Sequence, residues 1–261
     1  MQQTVDQTLR KRFGQHFLRD DHVIDRIVDL IEPRSAKPIV EIGPGEGVLT
    51  GPLLEHGANL TAIEIDRDLA VHLEQQFERF PGFTLVNMDV LKFDFETVFG
   101  NGGRTQVVGN LPYNISTPLI MTLIRWTDRI ESMVFMLQRE VAERITAGPG
   151  SRQYGRLSVV AQRYLCGRLE LTVPAEAFNP PPKVESAVVR LWPREPRPTA
   201  ALDDAFDEVV RAAFGQRRKT LANTLRGVVD ASTIQRCGID PAARAETLSV
   251  EDFEGLAQAS R

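Results

Sequence analysis

Apolar residues recur along the first three-quarters of the chain in short runs, and stretches of helical periodicity separate them. Residues 38–42, 60–65, 83–88, 106–110 and 132–138 read as strands, each short, rich in Val, Ile and Leu, and bounded by turn residues. Between them, 48–55 and 67–80 read as helices. Another begins at Ser116, read as its cap, and runs to about Trp126, with Pro118 in the first turn where a missing N–H costs nothing. Strands alternating with helices predict a parallel α/β sheet. Further on, 156–164 has helical character and leads into a strand over 169–173. The proline-rich loop Asn179, Pro180, Pro181, Pro182 separates that strand from another over 187–191, and this arrangement predicts an antiparallel pair at one sheet edge. Three prolines within 193–198 read as a linker, and from Asp203 onward the pattern is helical, with Gly227 and Gly238 as stops. Two domains follow, 1–195 and 196–261.

Composition narrows the class. With 261 residues, 42% of them hydrophobic, the chain can bury a large core. No apolar run reaches membrane-spanning length and the first residues are polar, so a cytoplasmic protein without membrane association is expected. Cys166 and Cys237 lie far apart, and His16, His22, His56 and His72 show no paired ligand spacing, so neither a disulfide nor a metal site is expected. A net charge of −4 does not mark a nucleic-acid binder, but the distribution is uneven. Basic residues cluster at Arg10, Lys11, Arg12 and again at Arg217, Arg218, Lys219. Alone, such a run is as readily a solvated helix face.

The chemistry begins at the turn after the first strand, where Gly43, Gly45 and Gly47 follow Glu41 and Ile42. Glycines there let the backbone approach a ligand closely. A dinucleotide fingerprint needs its third glycine at the sixth position, which Val48 occupies, so a nucleoside carrying an amino acid fits better than a pyrophosphate. Glu64 ends the second strand, where a carboxylate can hold both ribose hydroxyls. Asp89 ends the third and can accept from an adenine amino group while Met88 or Val90 covers the ring. Glu41 sits in an apolar strand and needs a partner, for which the cationic end of such a ligand is the candidate.

After the apolar run 107–109 come Asn110, Leu111, Pro112 and Tyr113. A carboxamide oxygen and the carbonyl of Leu111 or Pro112 can accept the two N–H bonds of a planar amine, and the tyrosine ring can stack on its base. Asn and Pro are also common turn residues. What surrounds them is more specific: 12–18 (RFGQHFL), 110–119 (NLPYNISTPL), 178–186 (FNPPPKVES) and 214–221 (FGQRRKTL) occur in this order. Together these segments resemble the small-subunit (16S) ribosomal RNA adenine N6,N6-dimethyltransferases, over almost the whole chain.

That resemblance implies a Rossmann-like class I methyltransferase fold with a mostly parallel seven-stranded sheet, plus a small all-α C-terminal domain. It implies S-adenosylmethionine as donor and, as substrate, two adjacent adenosines in the hairpin near the 3′ end of 16S rRNA. The partner is then the small ribosomal subunit, the role ribosome biogenesis, and the protein a monomer. His16, Leu18, Gly43, Glu64, Asp89 and Asn110 match donor-contact positions, and Glu41, Gly45, Ile65 and Val90 complete the candidate set. His16 departs from the family's frequent asparagine, although imidazole also donates or accepts. Phe178 matches an aromatic stacking on the target base opposite Tyr113, and its proline neighbours suggest an exposed loop. Arg10, Lys11, Arg12, Arg217, Arg218 and Lys219 are candidate phosphate contacts. The competing readings are a large-subunit adenine methyltransferase of the macrolide-resistance type, a nucleic-acid-binding assembly or transcription factor with dispensable catalysis, and a nicotinamide oxidoreductase.

Overall fold

Short strands rich in branched residues bury both faces only when helices cover them, and four of the chain's five leading strand runs meet that condition in one sheet, with the run at 83–87 at its half-exposed edge. In a computed structural model, which describes residues 16–33, 37–100, 103–216 and 218–261, the strands are β1 (Phe17–Leu18), β2 (Pro38–Ile42), β3 (Asn59–Glu64), β4 (Phe83–Asn87), β5 (Thr105–Asn110), β6 (Ile130–Gln138), β7 (Leu165–Val173), β8 (Phe178–Asn179) and β9 (Ser186–Pro193). Seven form a sheet in the order β4-β3-β2-β5-β6-β9-β7, parallel from β4 to β6, with β9 antiparallel to β6. The sheet is mostly parallel, as the resemblance implied. β2 is flanked by β3 on one side and β5 on the other, so successive crossovers leave in opposite directions and open a crevice at the strands' carboxyl ends. Gly109 lets β5 press against β2: a Cβ there would lie 2.4 Å from the Ile42 carbonyl oxygen.

Local differences from the expected elements have local causes. The helix expected from 48 begins at Thr50, because a turn occupies the residues just before it and Gly47 has φ of +81°. Ser116 is not a cap. It is the first helical residue, and its hydroxyl donates to the Tyr113 carbonyl at 3.1 Å. A helix over Asp21–Ile31 was not anticipated, although Asp20 caps it by accepting from the amides of His22 and Val23, and Val23, Ile27, Val28 and Ile31 form its buried stripe. β1 and β8 pair antiparallel, with Leu18 opposite Phe178.

The chain divides into two compact units, Met1–Ala142 with Arg168–Trp192, and Glu143–Gly167 with Pro193–Arg261. The sequence placed a boundary after residue 195, and the second unit also takes in an internal segment. The reason is packing: Tyr154 and Val159 join Phe206, Val209, Val210, Phe253 and Leu256 in one apolar core. Arg163, from the helix Arg156–Tyr164, is 1% exposed in that unit. Its guanidinium lies 3.0 Å from Asp203 and 4.2 Å from the centre of the Phe206 ring, so a buried cation is paired with a carboxylate and an aromatic face.

Candidate active site

A cavity of about 550 Å³ opens at the carboxyl ends of β2, β3, β4 and β5, and the first unit supplies its whole lining. Gly43, Gly45 and Gly47 all have positive φ, so the turn after β2 folds tightly beneath it. A Cβ on Gly45 would lie 3.2 Å from the Phe17 ring, and one on Gly47 would lie 2.7 Å from Phe77. Glu64, at the end of β3, is buried. Its Oε2 accepts from the Gly45 amide at 3.1 Å and its Oε1 from the Asp66 amide at 2.9 Å, leaving each oxygen a second lone pair. Burial raises its pKa, and the backbone N–H groups of Asp66 and Gly45 oppose that rise.

Beside Glu64, Ile65 is 48% exposed and Met88 39% exposed, and both line the cavity. They present apolar surface on which a flat ring can lie. Asp89 follows β4 and its Oδ1 accepts from the Leu91 amide at 3.0 Å, opening the turn Val90–Lys92. Val90 is buried against the same cavity. Glu41, deep in β2, is 1% exposed, and burial pushes its carboxyl up to about 7, against the lowering effect of the Thr50 hydroxyl 2.7 Å from its Oε2.

The loop 111–115 leaves β5 on the other side of the cavity. Asn110 donates through Nδ2 to the His16 carbonyl at 3.2 Å, which orients the carboxamide and leaves Oδ1 as a free acceptor among the described residues. The Leu111 amide donates to Met136 at 3.0 Å, and the Pro112 carbonyl accepts from Ile115 at 3.1 Å. Of the two carbonyls proposed from sequence, that of Leu111 has no partner among the described residues. Tyr113 lies offset-stacked on His16, with ring centres 6.1 Å apart, and its hydroxyl is 3.4 Å from that of Ser186. His16 Nδ1 is 2.7 Å from the Pro180 carbonyl oxygen, which fixes the ring.

Phe178 corrects an expectation. It does not sit on an exposed loop: paired with Leu18 across β1 and β8, it is 5% exposed and belongs to the apolar core. It nevertheless lines the cavity, as do His16, Leu18, Leu111, Pro112 and Tyr113. Arg10, Lys11, Arg12 and Arg217 lie outside the described residues, whereas Arg218 and Lys219 are exposed in the second unit. The sequence reading missed Phe17 beneath Gly45 and Thr50 on Glu41. A hydroxyl nine residues from a strand carboxylate carries no spacing signal that marks the pair.

Comparison with known proteins gives concordant results. A family model described as "Ribosomal RNA adenine dimethylase" matches residues 6–259. A protein of Methylococcus capsulatus named "Ribosomal RNA small subunit methyltransferase A" is 52% identical over 95% of this chain and 96% of its own length. One of the same name from Chromohalobacter salexigens is also 52% identical, over 95% and 90%. Among solved structures, a dimethyladenosine transferase from Plasmodium falciparum superposes with a TM-score of 0.77 at 26% identity, covering 92% of this chain and 96% of its own. The 23S rRNA methyltransferase ErmE gives 0.74 at 27% identity, covering 93% and 98%.

Proposed function

Since this chain belongs to the ribosomal RNA adenine dimethylase family, we infer that the two sides of its cavity are the donor and acceptor halves of one methyl-transfer site. The activity is S-adenosylmethionine-dependent dimethylation of adenine N6 in small-subunit ribosomal RNA, a step in ribosome biogenesis. The finer reading is that the targets are two adjacent adenosines in the 3′-terminal hairpin of 16S rRNA, modified in the cytoplasm by a monomer. The observation that carries the assignment is the pair of acceptors unengaged among the described residues, Asn110 Oδ1 and the Leu111 carbonyl, on the loop beside the cavity.

The residues present fit the donor. Glu41 is a buried carboxylate in want of a cation, Glu64 keeps lone pairs for ribose hydroxyls, and Asp89 lies beside apolar Ile65 and Met88, where an adenine can be covered. When bound, the donor supplies an electrophilic methyl group to the adenine N6 lone pair. The chain's work is orientation. Adenine N6 is a weak nucleophile because its lone pair is shared with the ring. As that conjugation is lost and nitrogen gains positive charge, Asn110 Oδ1 and the Leu111 carbonyl accept its N–H bonds more strongly, lowering the barrier selectively. Tyr113 and Phe178 flank the base, each stacking contact worth about 1–3 kcal/mol toward extracting it from its RNA surroundings. The proton departs afterwards to water.

Glu41 makes donor binding depend on pH. Its carboxyl titrates at about 7 in the folded protein against an ordinary 4.5, so the folded state holds a proton that the unfolded chain has already released. Stability contributed by that group is therefore present at low pH and lost as pH rises from 4.5 through about 7. A cationic partner reverses the preference, since it favours the ionised form. Donor affinity is expected to tighten about tenfold from pH 6 to pH 8 by calorimetry, and Glu41→Gln to flatten that profile. A pH-independent affinity in the unaltered protein would contradict the Glu41 assignment.

We assign the helical second unit to RNA binding. Arg218 and Lys219, exposed there, are phosphate contacts, and removing either is expected to lower the slope of log affinity against log salt by about one. Unchanged salt dependence in both variants would remove them from the interface. The similarity to ErmE keeps a large-subunit substrate as a second reading. Methylation of isolated subunits decides between them: the small subunit is expected to accept methyl groups, and labelling of large subunits alone would overturn the assignment.

A further inference from the structure

We propose that Thr50 is a positioning residue for the donor's cationic end, holding one oxygen of Glu41 so that the other faces the cavity. The inference rests on the reading of Glu41 given above. In β2, Glu41 lies in register with Ala62 of β3 and Val108 of β5, both fully buried and without a side-chain donor. A carboxylate among such neighbours has no lateral support. The single hydrogen bond that its side chain makes among the described residues comes from Thr50 Oγ1, 2.7 Å from Oε2. Glu41 also lines the cavity, so Oε1 is the oxygen left for a ligand.

Thr50 is suited to that task because it cannot move away. It is fully buried and opens the helix Thr50–Glu55, directly after the glycine turn. The next residue anchors this junction, with the Gly51 amide donating to the Gly47 carbonyl at 3.1 Å. The β-branched side chain of Thr50 has few rotamers, so the hydroxyl is preset rather than recruited. Loss of the hydroxyl leaves Oε2 buried and unpaired, which favours a rotated or protonated Glu41 over the ionised, cavity-facing form. The glycine turn and its following helix are thereby tied to recognition of the amino-acid end of the donor.

Two ligands separate positioning from general structural support. S-adenosylhomocysteine carries the ammonium, whereas 5′-methylthioadenosine lacks the amino-acid end. By calorimetry, Thr50→Val is expected to weaken S-adenosylhomocysteine about tenfold and 5′-methylthioadenosine less than twofold, and Thr50→Ser to restore the original ratio. If the valine variant does not fold, Thr50→Ala serves the same comparison. Equal weakening of both ligands, or of neither, overturns the proposal. Glu41→Gln provides the separate control. If it lowers the ratio while the Thr50 variants do not, Thr50 is only structural and the Glu41 reading stands. If Glu41→Gln leaves the ratio unchanged, the Glu41 reading falls and the Thr50 proposal with it.

Discussion

Replacing Asn110 with alanine is expected to lower methyl transfer by about 10²–10³-fold, the usual loss when one preorganised hydrogen-bonding group at a developing charge is removed. Folding is retained. The substitution deletes one side-chain bond to the His16 carbonyl, at about 1 kcal/mol, and β5 keeps its pairing with β2 and β6. The loss is expected on the chemical step because Oδ1 is the proposed acceptor whose bond to N6 strengthens as charge develops, while the Leu111 carbonyl remains. Single-turnover methylation of small subunits, together with a melting curve, checks both halves. Near-normal turnover would remove Asn110 from the mechanism.

Glu64→Ala acts on the donor half. Two ribose hydroxyls donating to an ionised carboxylate contribute about 1.5–3 kcal/mol each, so donor affinity is expected to fall by 10² or more. A second effect adds to the first. The Gly45 amide loses its acceptor at 3.1 Å, which loosens the glycine turn proposed to hold the donor. Thermal stability should fall less than affinity, because burial already opposes the charged form of Glu64 in the folded protein. Calorimetric titration with S-adenosylhomocysteine measures the effect. A dissociation constant within threefold of the unaltered protein would show that the ribose is held elsewhere.

These two residues were legible in the sequence for the same reason: each ends a strand. In a parallel sheet, strand ends converge on one edge, so Glu64, Asp89 and Asn110, together with the turn of Gly43 and Gly45, fall around one cavity once the strands are recognised. Phe178 was misplaced because its environment comes from pairing with Leu18, a partner far away in sequence. Its proline neighbours describe the backbone but not what covers the ring. The helix Arg156–Tyr164 is legible as a helix, yet its pattern shows which face is apolar and not which core receives it. Asp20 and the stripe from Val23 to Ile31 do carry a helix signal, an N-cap followed by apolar residues at helical spacing. The choice between the Leu111 and Pro112 carbonyls needed a single turn bond, from Ile115 to Pro112, that local sequence does not specify.

The proposed mechanism depends on Asn110 and Leu111 presenting adenine N6 to the donor side of the cavity. The decisive experiment is a structure of the protein with S-adenosylhomocysteine and an RNA hairpin containing the two adjacent adenosines. One adenine is expected flipped between Tyr113 and Phe178, with N6 about 2.9 Å from both Asn110 Oδ1 and the Leu111 carbonyl oxygen. An adenine bound in the cavity with N6 turned away from both acceptors would contradict the mechanism.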